Sequence, residues 1–404
     1  MDQPPCPIDD VGPFPVVQPP SVADVGEVVR CAAADNHALY PTGGRTMLDY
    51  GLPPARPGVA IELRALDKII DFPARDMTIT VEAGITVARL NEITRAEGLH
   101  LPIDVPEPER ATLGGAIACN VSGPRRYGYG TFRDYVLGIT TVNDRGELVS
   151  AGGRVVKNVA GYDLMKLHTG ALGTLGVITQ VTLRLKPMPE AWVSRQFDCP
   201  KNRLADALER INRSNTRPAR VDFCRVNFFE NDSRNQWRLA ILFEGNSDAV
   251  SWQERQLRSE FTANAFGDID DARGKNPRGT FERPENPLVL RAELRPSAAA
   301  EFCQVASSRA LMAVDGWCAG AVVRCKLMRA DWTEGDTAQF VNQLFDIAEP
   351  AGGNVIIAQC PSEWKKSLPV WGRPPADLAL QKAVKRALDP KNLFNPGRFV
   401  TDAF

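Results

Sequence analysis

Ala111-Thr112-Leu113-Gly114-Gly115-Ala116-Ile117-Ala118-Cys119-Asn120-Val121-Ser122-Gly123, followed at once by Pro124-Arg125-Arg126-Tyr127-Gly128-Tyr129-Gly130, is the stretch on which the reading of this sequence turns. Small residues crowd together there, and a glycine presents its backbone N–H without a Cβ in the way. A flat or phosphorylated ligand can therefore come close to the main chain. From 110 to 190 there are ten Lys/Arg against five Asp/Glu, within a 404-residue chain of formal net charge −1. A local positive excess beside glycine-rich loops suits a diphosphate. Any single arginine in it reads equally well as part of a solvated basic face.

Two further glycine stretches flank this one. Upstream, Ala38–Tyr40 reads as a strand running into Pro41-Thr42-Gly43-Gly44-Arg45-Thr46, where a charge and a hydroxyl follow the glycines. Alone, this is better taken as a tight turn. Downstream, Gly170 to Gly176 feeds an alternating strand, with Val177, Thr179, Val181, Leu183 and Leu185 on one face. No Lys-Ser/Thr follows at Walker A spacing. Gly170-x-x-Gly173-x-x-Gly176 precedes a strand rather than opening a helix, so it is not a Rossmann fingerprint. Ser21 caps a helix carrying Val22, Val25, Val28 and Val29, Val59–Leu63 and Thr78–Val81 are strands, and Thr86–Glu97 is an amphipathic helix ending at Gly98.

From 190 to about 370 glycine thins out. Strand-like runs (Val221–Phe228, Trp237–Phe243, Leu288–Leu294, Gly320–Leu327, Asn354–Ala358) alternate with helical ones (Arg203–Arg213, Val250–Phe261, Ser297–Val314, Asp336–Ala348). That pattern predicts helices on one face of a mostly antiparallel sheet. Gly267 to Asn286 reads as a surface loop. A last helix over Ala376–Leu388 carries Leu380, Ala383, Val384, Ala387 and Leu388 on one stripe, and Pro390 ends it before Leu393-Phe394-Asn395-Pro396-Gly397.

Composition narrows the function. Forty-four per cent hydrophobic and 24% charged residues are ordinary for a globular chain, and near-zero net charge argues against a protein that works by gripping nucleic acid. Nine cysteines without a C-x-x-C pair offer neither a zinc ribbon nor a ferredoxin-type cluster, and read as reduced thiols. No metal site is expected. No signal peptide or spanning apolar run is visible, so a cytoplasmic location is expected, alone or docked at a membrane through a partner.

Five segments, PTGGRT (41–46), ATLGGAIACNVSGPRRYGYG (111–130), KNVAGYDLMKL (157–167), GALGTLGVITQVTLRL (170–185) and LFNPGRF (393–399), stand in the order found in FAD-binding oxidoreductases of the vanillyl-alcohol oxidase/PCMH type, which the chain resembles. The resemblance covers about residues 20–190 and the C-terminal segment. It implies an α+β chain: a PCMH-type two-subdomain FAD-binding fold over 1–190, a reduced α+β cap over 191–370, and a segment 371–404 returning to the FAD domain. By motif position, it implies that Thr42, Gly43, Gly44, Arg45, Thr46 and Met47 cradle the pyrophosphate. Thr112, Gly114, Gly115, Asn120, Ser122 and Gly123 would run along the ribityl and ring portion, with Tyr127 and Gly128 in the same wall. Gly173, Thr174, Gly176, Val177 and Ile178 would lie near the adenosine end or pyrophosphate, and Asn395 at the ring edge.

Within that family the chain most resembles the FAD-binding, E-type subunits of glycolate oxidase. D-type subunits and D-lactate dehydrogenases usually read G-S-E-G-T-L-G, and Leu172 here stands where their glutamate is expected. They also carry a histidine-rich metal site for the hydroxy acid. The histidines here are His37, His100 and His168, all in the first half. The resemblance therefore implies noncovalent FAD (Arg45, not His, follows Gly44), a small 2-hydroxy-acid substrate, and D-type flavoprotein and iron–sulfur partner subunits. Two alternatives stay open: a self-sufficient FAD-dependent hydroxy-acid or alcohol dehydrogenase, and a non-catalytic assembly subunit. No catalytic residue is identified. His168 reads as a packing residue, Arg291, Arg295, Arg324 and Lys326 as a solvent face of the cap, and Trp364 and Trp371 as packing anchors or interface residues.

Overall fold

The computed structural model describes residues 5–154, 162–225, 236–262, 269–271, 287–309, 312–328 and 332–399. The Lys157–Gly161 part of the KNVAGYDLMKL segment, the Val226–Phe228 end of one expected strand and nearly all of the expected 267–286 loop lie outside them. The chain divides into two compact units. One is Met1–Ser122, Thr131–Met188 and Pro374–Phe404; the other is Gly123–Gly130 with Pro189–Arg373.

The first unit holds two larger sheets beside two two-stranded pairs, Cys6–Ile8 with Val11–Phe14 and Leu99–His100 with Lys186–Pro187. In the smaller, Val16–Val17, Gly58–Glu62 and Ala38–Thr42 run parallel, and the Val22–Ala34 helix supplies the connection that a parallel pair requires. Ser21 starts that helix by accepting the Asp24 N–H at 3.3 Å. Val25 and Val29 are fully buried against Leu39 and Ile61. The larger sheet is antiparallel, in the order Leu148–Gly152, Val136–Val142, Val177–Arg184, Thr78–Glu82, Ile69–Asp71. Val177–Arg184 sits at its centre, and so apolar residues on both its faces are buried. The C-terminal segment adds itself to the smaller sheet: the Leu39 N–H donates to Leu393 O at 2.8 Å and the Asn395 N–H to Leu39 O at 2.8 Å.

The second unit is an eight-stranded antiparallel sheet. Its order is Asp270–Asp271, Ala191–Pro200, Gln236–Gly245, Arg220–Arg225, Met312–Trp317, Val322–Leu327, Leu288–Glu293, Asn354–Gln359. Alternate strand residues (Phe197, Phe223, Leu239, Val323, Leu290, Ile357) form one core with Leu208, Phe261, Phe302 and Leu344 of the helices Leu204–Arg213, Ser247–Thr262, Ala299–Ala306 and Glu334–Ala348. Period-two and period-3.6 patterns thus meet on a single buried face.

Three expectations change. Ser297–Val314 is not one helix. A turn at Pro296–Ala298 leads into the Ala299–Ala306 helix, and Met312–Trp317 is a strand, its alternating buried and half-buried residues paired on both sides. Ala191–Pro200, where no element is expected, is a ten-residue strand. On the last helix, Leu378–Leu388, Leu380 is 64% exposed and Leu388 is exposed, while Lys385 is buried. The cap arginines are not simply solvated. Arg324 donates to both carboxylate oxygens of Asp315, at 3.2 and 2.6 Å, and stacks over Trp317; Lys326 also pairs with Asp315. Among the described residues no helix is long and apolar enough to cross a membrane.

Candidate cofactor site

The three glycine stretches converge in the first unit on one cleft of about 1000 Å³, counting the solvent at its mouth. Its walls are Thr42 to Leu48, Ala111 to Cys119 (without Leu113 and Ile117), Leu172, Gly173, Gly176 and Ile178, with Asn395 and Arg398 from the C-terminal segment. The glycines have separable tasks. A methyl built on Gly43 would collide with the Thr112 side chain, and one on Gly44 with the Arg110 carbonyl, so these two let the loops touch. A methyl on Gly115 meets only Thr112 Oγ1, at 3.1 Å. Gly115 is exposed on the cleft, in the helix Leu113–Ala118 whose N-cap Thr112 accepts its N–H at 3.3 Å.

Charge at the cleft is arranged around a buried carboxylate. Glu62, fully buried at the end of its strand, accepts from Arg45 Nε at 3.0 Å and from Arg64 Nη2 at 2.8 Å, and Arg45 Nη2 lies 2.8 Å from it as an ion pair. Two guanidinium groups on one carboxylate leave a net positive charge, and Arg45 itself lines the cleft with φ 57°. Arg398, 5% exposed, donates to the carbonyls of Leu48, Tyr50 and Leu52 at 2.6–2.8 Å. Burial lowers its pKa from the ordinary arginine value, opposed by the charge of Asp9. Backbone N–H groups, guanidinium groups and missing Cβ atoms together form a surface for an anionic, partly flat ligand.

Of the residues read from sequence, Thr42, Gly43, Gly44, Arg45, Thr46, Met47, Thr112, Gly114, Gly115, Gly173, Gly176, Ile178 and Asn395 line this cleft. Asn120 and Ser122 lie beside the lining residues Cys119 and Val121. Their Asn120 Oδ1 and Ser122 Oγ are buried without a hydrogen-bond partner. Thr174 and Val177 stand behind the wall, the first with its hydroxyl on Ala171 O at 2.7 Å, the second fully buried. Gly123, Tyr127 and Gly128 belong to the second unit. There Tyr127 and Gly128 line a separate cavity with Asn212, Arg217 and Glu244. The segment is held in that unit by Arg125 on Glu244, at 3.1 and 3.3 Å, and by the Tyr129 hydroxyl on the same carboxylate at 3.2 Å.

Among the described residues no histidine lines the cleft. Burial pushes the His168 pKa down to about 4, so the ring is neutral near pH 7. Among the described residues no group of three or more His, Cys, Asp or Glu is placed to hold a metal ion. Sequence reading missed Glu62, Arg398 and the pair Lys385–Asp389. An acidic residue closing the apolar strand Gly58–Glu62, an arginine next to Asn395-Pro396-Gly397, and an i,i+4 Lys/Asp spacing were the available signals.

Comparison with known proteins fits this geometry. Residues 13–152 match the family model described as FAD binding domain, and residues 370–399 that of FAD linked oxidases, C-terminal domain. The chain is 39% identical over 177 residues to a D-2-hydroxyglutarate dehydrogenase of Xanthomonas citri pv. viticola, a match covering 44% of this chain and 38% of that protein. It is 31% identical over 242 residues to glycolate oxidase subunit GlcE of Escherichia coli, covering 59% of this chain and 65% of that one. The matched region thus spans less than two thirds of either relative. Among solved structures, an alkyldihydroxyacetonephosphate synthase superposes with a TM-score of 0.66 over 94% of this chain and 75% of its own, at 18% identity, which shows a shared fold.

Proposed function

We propose that this chain, which carries a FAD-binding domain and takes FAD as its cofactor, is the FAD-binding subunit of an oxidoreductase complex that oxidises the C–OH of a small 2-hydroxy acid, of the glycolate oxidase type. The observation that carries the reading is the cleft itself. The residues fit the cofactor: a glycine exposed on the cleft (Gly115), where an added Cβ would meet only Thr112 Oγ1, a cationic rim around Glu62, and two buried acceptors, Asn120 Oδ1 and Ser122 Oγ, with unused capacity beside the lining. Bound there, FAD supplies the hydride and electron chemistry. The chain's own groups bind and orient it: Arg45 and the N–H groups of the 42–47 loop for the diphosphate, and Asn395, held to Leu172 O at 2.5 Å, at the ring edge.

The subunit assignment rests on two further features. Leu172 occupies the position where substrate-oxidising D-type relatives are expected to carry glutamate. The second unit, where those relatives are expected to place their histidine-rich site, contains no histidine in this sequence. A D-type flavoprotein and an iron–sulfur subunit would then complete the electron path. A self-sufficient hydroxy-acid dehydrogenase is the second reading, favoured by the identity to D-2-hydroxyglutarate dehydrogenase.

The test is purification from native extract with an absorption spectrum and partner identification, followed by mixing the isolated chain with glycolate, D-lactate or D-2-hydroxyglutarate. The expected result is one bound FAD, recovery with flavoprotein and iron–sulfur partners, and no bleaching by hydroxy acid alone. Bleaching of the isolated chain supports the second reading, and a colourless chain removes both.

A further inference from the structure

We infer that Lys385 is a positioning residue for the flavin: paired with Asp389, it pins together the two backbone turns, at Gly173–Thr174 and Phe394–Asn395, that form one wall of the cleft. The inference rests on the reading of that cleft as the FAD site. Lys385 is 3% exposed and Asp389 is fully buried, one helical turn apart at the end of Leu378–Leu388. The ammonium donates to Thr174 O at 2.9 Å, to Phe394 O at 3.0 Å and to Asp389 Oδ2, so its three N–H bonds have three acceptors. Asp389 in turn accepts the Leu393 N–H at 2.8 Å and the Phe394 N–H at 2.9 Å.

Thr174 and Phe394 are next to the residues that face the cleft. Gly173 has φ 65° and Asn395 φ 43°, and Leu172, whose carbonyl receives the Asn395 amide, has φ 51°. Asparagine enters left-handed backbone readily, but leucine holds it only where its surroundings impose it. The imposed geometry comes from behind, through carbonyl oxygens that an apolar side chain could not grip. Burial lowers the Lys385 pKa, with Arg56 acting in the same direction and Asp389 opposing both. A buried ion pair is a poor source of stability compared with apolar packing, and its attested use is to fix one arrangement among several. The same helix leaves Leu380 and Leu388 exposed, so its inward contact is made by the clamp rather than by its apolar stripe.

Changing Lys385 alone to Met strands the buried Asp389 carboxylate and risks the fold, so the test neutralises both partners. The double variant Lys385→Met/Asp389→Asn is expected to melt within a few degrees of the native chain and to bind FAD at least tenfold more weakly. Its bound flavin should show an altered visible circular dichroism spectrum. Lys385→Arg keeps the charge, but a planar guanidinium cannot aim three N–H bonds from one atom. It should fold, weaken FAD several-fold and shift the same spectrum. Amide hydrogen exchange on the apoprotein gives a readout independent of flavin: the Leu393 and Phe394 amides should be strongly protected in the native chain and exchange at least tenfold faster in the double variant. A folded variant of either kind with native FAD affinity and spectrum overturns the inference, as do native Leu393 and Phe394 amides that exchange like open loop. A native chain that binds no FAD refutes the assignment of the cleft, while the exchange data still report on the clamp.

Discussion

Two glycines that line the same cleft should fail in different ways. A methyl on Gly44 would stand 1.7 Å from the Arg110 carbonyl oxygen and 2.5 Å from its carbon, both backbone atoms. Relief therefore needs one loop to move by roughly 1.5 Å, because no rotamer change clears a main-chain carbonyl. Neither loop is free to move. Thr42 O accepts from Leu63 N–H at 2.9 Å, and Ala111 is tied at both N–H and carbonyl, to Glu107 O at 2.8 Å and from Val87 N–H at 2.9 Å. Overpacking costs about 1–3 kcal/mol, and backbone on both sides puts Gly44→Ala at about 3 kcal/mol or above. In a unit of about 200 residues that lowers the melting temperature by roughly 6–12 °C.

Gly115→Ala sits in a helix, where alanine is favoured over glycine by about 0.5–1 kcal/mol. The added methyl stands 3.1 Å from Thr112 Oγ1, a side-chain atom that can give slightly, so the two effects offset and the apoprotein should melt close to the native one. Its methyl would enter the cleft. If FAD lies along that wall, an overlap of about 1–3 kcal/mol weakens binding by roughly 5- to 150-fold. Differential scanning fluorimetry of both apoproteins, with FAD titrations followed by fluorescence quenching, separates the two effects. A Gly44→Ala protein melting within 2 °C of the native one would refute the loop-contact argument. A Gly115→Ala protein with native FAD affinity would show that the flavin does not pass over the 112–115 turn.

Other perturbations follow from the same structure. Glu62→Gln removes the charge holding Arg45 and Arg64 and should destabilise the chain by about 2 kcal/mol in urea unfolding, with the first unit's transition moving to lower denaturant. His168 has a folded pKa of about 4 against 6.5 for the free side chain, so its neutral form's contribution is complete above pH 6.5 and is lost as pH falls through 4. By pH 5 about 2 kcal/mol of stability should be gone, and His168→Gln should flatten that part of the pH–stability profile. A methyl on Gly316 would run into the Phe223 ring, which is buried edge-to-face against Trp237 with centroids 5.8 Å apart. Gly316→Ala should therefore cost the second unit about 2–3 kcal/mol by the same assay, without changing the FAD affinity of the folded protein.

What the sequence made legible was local. Gly43, Gly44, Gly114 and Gly115 announce themselves as runs of paired glycines, and Ser21 and Thr86 mark helix starts by accepting N–H groups three residues on. Legibility fell where partners are remote. The Met312–Trp317 strand reads as the tail of a helix until its neighbours on the sheet are known, since Met-Ala-Val-Asp-Gly-Trp satisfies neither period clearly over six residues. Tyr127 and Gly128 share a glycine-rich run with Gly115, yet the backbone leaves the first unit at Gly123, because Arg125 and Tyr129 find their acceptor in Glu244, more than a hundred residues away. The last helix misleads most directly. Its most regular apolar stripe reaches solvent at Leu380 and Leu388, and the residue it buries is a lysine whose acceptors include a carbonyl 211 positions earlier. A periodicity argument weighs side chains by their cost of exposure to water; it has no term for a cation worth burying because two backbone turns must be held at fixed separation. Such positions are where a sequence breaks its own pattern, and a broken pattern beside a glycine-rich cleft is a reason to look for a positioning role.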